Sequence, residues 1–208
     1  MTPSRFPLIG SLLLLALVPL QGTTIFSQLP PGSGSRVSST LDFFGVAPGY
    51  QTYDDFTLAS DASVTGLTWW GTCQSGGTDF SVTFYEGGAT PGAVLATYSV
   101  SPTVQADPGP PDNLLLYTAS LNSPFHAVGG TQYWMSIFNG AADANWAWQG
   151  SSPGNSLQRE LGTNSFGTTF GVAFTLTDGA ILEPSTGLLL GIGMLPVAGR
   201  GWSRRRNG

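Results

Sequence analysis

Phe80, Val82 and Phe84 alternate with Ser81, Thr83 and Tyr85, a period of two that lets an extended strand bury one face and wet the other. Alternation or a short apolar run bounded by turn residues predicts further strands over 53–58, 64–70, 94–100, 114–121, 133–138, 145–149 and 170–177. Gly76-Gly77, Gly87-Gly88, Pro91-Gly92, Gly129-Gly130 and the stretch 107–112 separate them. No segment sustains helical periodicity, so the pattern predicts an all-β, jelly-roll-like antiparallel β-sandwich of about eight strands. Pro108, Pro110 and Pro111 cannot donate to a ladder, which makes 102–113 a loop crossing between sheets. Residues 27–40, rich in Ser, Gly and Pro, read as a flexible lead-in.

The two ends break this period. Residues 8–20 are apolar except for Gly10, Ser11 and Pro19, and Arg5 precedes them; this is the order of a secretory signal peptide, assigned to 1–22 and expected to be removed. The exported domain is then 23–182. Beyond it, 187–199 carries no charge. As a helix it covers about 20 Å against ~30 Å of hydrocarbon, so it forms a marginal transmembrane helix. Arg204, Arg205 and Arg206 follow and place the tail in the cytoplasm by the positive-inside rule.

Glu183, Pro184, Ser185 and Thr186, the apolar run and the three arginines together resemble the PEP-CTERM sorting signal of Gram-negative bacteria, in which Pro-Glu-Pro precedes an apolar helix and a basic cluster. Leu182 stands where that motif has its first proline. The resemblance covers 183–208 and implies an exosortase-type processing enzyme as partner, in organisms that often make exopolysaccharide. Leu195-Pro196-Val197-Ala198-Gly199 is similar to a sortase motif, but it lies at the cytoplasmic end of the span, where an exported enzyme cannot reach it. Within the domain, Asp54-Asp55-Phe56 followed by Gly66-Leu67-Thr68-Trp69-Trp70 resembles secreted bacterial β-sandwich domains, which bears on fold alone.

Composition narrows the function. The exported domain has two arginines, Arg36 and Arg159, against eleven carboxylates, and the chain has no lysine, giving a domain charge near −9. Such a surface repels phosphate backbones, so nucleic acid is excluded as a partner. Cys73 is the single cysteine and His126 the single histidine. No intrachain disulfide can form, and neither a zinc site nor a histidine triad is marked by spacing. Cys73 is expected to be a small buried thiol at a strand end, and His126 to sit in a loop before a strand.

Three sets of residues remain as candidate chemistry. Asp54 and Asp55 are adjacent on a strand and face opposite sides. An inward carboxylate needs a partner, and Ca²⁺ is one that takes oxygen ligands. Trp146 and Trp148 share a face and could form a glycan platform or core. Glu86 and Glu160 are the domain's only glutamates and fall in no hydrolase motif. The expected protein is exported, held at the inner membrane as a precursor and then placed at the cell surface, outer membrane or outside. Its expected role is non-enzymatic, structural or adhesive, and associated with exopolysaccharide. A carbohydrate-binding module is the alternative, and an extracellular glycoside hydrolase or lyase the second alternative. No cofactor beyond the calcium candidate is implied.

Overall fold

The computed structural model describes residues 22–31, 35–41, 48–72, 79–107, 114–141 and 145–179, with 152–155 described by backbone alone. Apart from Gly22, the signal segment 1–22 lies outside the described residues, as do Asp42, Cys73 and the tail from Glu183 to Arg206.

Among the described residues there are twelve strands and no helix: β1 (Thr23–Gln28), β2 (Arg36–Ser38), β3 (Tyr50–Thr57), β4 (Ala62–Thr72), β5 (Phe80–Glu86), β6 (Val94–Val100), β7 (Thr103–Ala106), β8 (Leu115–Ala127), β9 (Gln132–Asn139), β10 (Ala147–Glu160), β11 (Phe166–Val172) and β12 (Phe174–Asp178). Every strand pair is antiparallel. The first sheet runs β1-β12-β4-β8-β7, and the second β11-β10-β3-β9-β5-β6. β10 belongs to both: Ala147 to Gln149 pair with β2 and β4 in the first sheet, and Leu157 to Glu160 pair with β3 in the second.

The two sheets enclose one aromatic core. Trp69 of β4 stacks on Tyr117 of β8 with centroids 5.4 Å apart and planes 6° from parallel. Phe80 of β5 meets both rings edge-on from the opposite sheet, at 5.4 and 5.3 Å. Nearer the other end Phe84 stacks on Phe125 at 4.2 Å. Edge-to-face and offset pairs of this kind add about 0.5–1.5 kcal/mol each beyond the area they bury. Large rings also suit the ~10 Å gap between packed sheets, which smaller side chains would fill less completely.

Three expectations change. The lead-in 27–40 is structured where it is described: β1 extends through Gln28, β2 holds 36–38, and Thr40 bridges Tyr50 and Asn139. Its Ser and Gly content hid this, because edge pairing needs backbone groups more than apolar side chains. His126 lies on β8 opposite Ser63, not in a loop. The crossing segment between β6 and β8 does change sheets, but it carries the short strand β7 along the edge of the first.

Gly71 is where β4 meets the start of β10. A Cβ there would come within 2.6 Å of the Ala147 carbonyl oxygen and 2.7 Å of Trp146 Nε1. Neither neighbour can yield, one being backbone and the other a packed ring. Gly71→Ala is therefore expected to lower unfolding stability by about 1–3 kcal/mol. Urea denaturation reads this directly, and an unchanged midpoint would show that the two strands can part at no cost.

Candidate functional site

Trp146 and Trp148 share a face as expected, but that face is the interior. Both are 0% exposed. Their rings lie 5.9 Å apart, with Phe80 edge-on to Trp146 at 5.3 Å and Phe174 against Trp148 at 6.1 Å. Trp148 Nε1 donates to the Ala173 carbonyl at 2.9 Å. Of the two readings left open for this pair, the glycan platform is corrected and the core one stands: no ring face is left for a sugar. The reason is the crossing of β10: Trp148 on it and Trp146 just before it lie between Phe80 of the second sheet and Phe174 of the first.

Asp54 points inward with Phe56 and Leu58, and Asp55 points outward. Asp54 Oδ2 accepts from Gln28 Nε2 at 2.8 Å and from the Val172 backbone N–H at 2.7 Å, while Oδ1 accepts from the Asp55 N–H at 3.0 Å. Gln28 Nε2 also reaches Ser151 Oγ at 2.6 Å and the Val172 carbonyl at 2.9 Å. The carboxylate thus ties β1, β3 and β11 together, and Gln28 extends the knot to β10. Burial pushes its pKa up to about 7, against the pull of the Val172 and Asp55 N–H groups. Asp55, on the other face, accepts from Gln132 Nε2 at 2.9 Å. The pair is not brought to one cation site, and no three His, Cys, Asp or Glu side chains gather among the described residues.

The outward face of the second sheet holds a cluster that the sequence reading missed. Tyr53 is flanked edge-on by Tyr85 at 5.4 Å and Phe166 at 5.6 Å. The Arg159 guanidinium lies 5.6 Å from both the Tyr53 and the Phe166 centroids, within cation–π range. Gln51 links them: its Oε1 accepts from Tyr53 Oη at 2.8 Å and Arg159 Nη2 at 3.3 Å, and its Nε2 donates to Tyr85 Oη at 3.2 Å and Ser136 Oγ at 3.1 Å. Burial pushes both phenols up, so they remain hydroxyl donors at any physiological pH. Tyr53, Trp134 and Leu157 are buried here, while Tyr85 and Phe166 keep part of their surface. Only the parity of Tyr53 and Tyr85 opposite the inward Phe56 and Phe84 could have signalled a second aromatic face.

His126 forms a third locus. Its Nδ1 lies 2.9 Å from Ser63 Oγ, beside Asp61 and Asp178 in a shallow groove of about 390 Å³. Asp61 Oδ1 is already engaged by the Gly129 N–H at 2.9 Å. Glu86 and Glu160 are exposed at the ends of β5 and β10, on strands separated by β3 and β9.

Trp148→Ala is expected to cost about 3–5 kcal/mol of stability, as for other buried large-to-small changes, and calorimetric melting measures it. For Asp54 the sign follows from a folded pKa raised above the unfolded carboxylate value. Its contribution is fully present below the unfolded value and is lost as pH rises through about 7. The domain is expected to be more stable at pH 5 than at pH 8 by about 2–3 kcal/mol, read as a higher melting temperature at pH 5, and Asp54→Asn to flatten this slope. A slope that survives in Asp54→Asn assigns the titration to another group. The chain matches no protein-family model and no curated protein.

Proposed function

We propose that this chain is an exported protein of the cell surface or extracellular matrix, held at the inner membrane as a precursor and sorted by an exosortase-type enzyme. Its jelly-roll-like domain has a non-enzymatic, structural or adhesive role alongside exopolysaccharide. The observation that carries this reading is the tail, in which Glu183-Pro184-Ser185-Thr186, an uncharged run over 187–199 and Arg204-Arg205-Arg206 follow in order, behind a chain that opens on a signal-like segment. A span this short suits temporary retention, because a helix of about 20 Å is a weak anchor in ~30 Å of hydrocarbon.

The domain is consistent with contact rather than turnover. Asp54, the one deeply buried carboxylate among the described residues, accepts three N–H donors, and the two glutamates stand on separate strands at the surface. A carbohydrate-binding module remains the second reading, favoured by the part-exposed rings of Tyr85 and Phe166 beside Arg159 on the outward face of the second sheet. Ring surface of this kind can stack on a sugar, although the Gln51 amide is already engaged within the cluster.

Intact-mass spectrometry of the mature protein from its host decides the sorting step. The expected species lacks residues 1–22 and ends near Glu183-Pro184. A surface form that keeps Arg204 to Arg206 rules out processing.

A further inference from the structure

We infer that the outward face of the first sheet is a binding track for a neutral polysaccharide chain, carried by aligned hydroxyl rungs on five strands with Trp70 at their edge. This inference rests on the exopolysaccharide association proposed above and gives it a site and a ligand class. The register places Ser27, Thr175, Thr68, Thr118 and Thr103 side by side on β1, β12, β4, β8 and β7. At ~4.8 Å between strands this rung is roughly 19 Å long. One step along the strands lies a second rung of Thr24, Thr177, Gly66 and Ser120.

The hydroxyls are aligned closely enough to bond one another. Ser27 Oγ lies 3.1 Å from Thr175 Oγ1, and Thr68 Oγ1 lies 3.4 Å from Thr118 Oγ1. Each hydroxyl has one donor and two acceptor sites, so these contacts leave capacity for a ligand. Between the rungs the surface dips into a groove of about 490 Å³. Gly66 keeps its floor open, since a Cβ there would approach Thr177 Oγ1 to 2.9 Å.

The third outward position on β4 is Trp70, paired with Leu116, which in turn pairs with Gln105. Among the described tryptophans Trp70 alone is not buried. A ring beside uncharged hydroxyls and an amide offers stacking and hydrogen bonding together, the two contacts a sugar chain uses.

Charge selects among polymers. None of the residues in these two rungs is ionised, yet the domain around them is near −9. An anionic chain is repelled by that field, whereas a neutral one meets no penalty. A crystalline surface is disfavoured as well, because successive strands of a twisted sheet rotate by about 20–25° and a rigid lattice cannot follow them.

Affinity electrophoresis of the full-length chain through gels holding dextran, laminarin or hydroxyethyl cellulose, with alginate as the anionic comparison, tests the assignment. Retardation by at least one neutral glucan and not by alginate is expected. The double variant Thr68→Val, Thr118→Val, which keeps shape and removes two hydroxyls, is expected to bind about tenfold more weakly with unchanged near-ultraviolet circular dichroism. Trp70→Ala is expected to weaken binding without altering the melting of the core. Retardation by alginate alone, or equal retardation of wild type and all variants by a neutral glucan, overturns the track while leaving polysaccharide association in place. No retardation in any gel overturns both. A variant that changes only the sedimentation coefficient identifies the face as a contact between copies of this chain and likewise overturns the proposal.

Discussion

One strand that serves two sheets sets the terms for the rest of the domain. β10 leaves the first sheet after Gln149, pairs with β11 of the second from Gly150 and with β3 from Leu157, so the two sheets are covalently continuous along this strand. Trp146 and Trp148 lie at the crossing, braced by Phe80 from one side and Phe174 from the other. With no disulfide available from a single cysteine, the relation between the sheets is fixed by ring packing and by the Asp54 knot near the same seam. Trp146 touches Phe80 of one layer and Tyr117 of the other, so its packing bears on both sheets at once.

How far the sequence disclosed this follows from what a period of two encodes. Phe80 to Tyr85 and 94–100 were legible because alternation reports directly on a half-buried strand, and β6 begins and ends where the pattern does. β1, β2 and β7 were not legible, since edge strands need few apolar residues and their role lies in backbone pairing. The two faces of adjacent residues were correctly separable at Asp54 and Asp55. Which face was interior was not, because parity within one strand carries no information about the neighbouring sheet. Trp146 and Trp148 illustrate the point: their shared face was readable, but its burial depends on a crossing that only long-range pairing reveals.

The outward faces are equally unlike each other. That of the second sheet concentrates rings around Gln51 and Arg159, with most hydrogen-bonding capacity used internally. That of the first is built from hydroxyls whose alignment comes from register. Rung composition was invisible in sequence because Ser27, Thr68, Thr103, Thr118 and Thr175 are scattered over 149 positions of the chain. Each looks like an ordinary polar strand residue, and threonine suits half-exposed strands anyway.

β12 is held on both edges, by β1 on one side and β4 on the other, while its first residue opposes Gln28 and its last opposes Thr23. The earliest and latest described strands are therefore neighbours. Load arriving from the C-terminal side of Asp178 meets a strand paired along both edges, so drawing it out breaks two ladders instead of one. The strand that leads toward the tail is thus anchored to both the first described strand and the long central one, and a pull on it is passed to both.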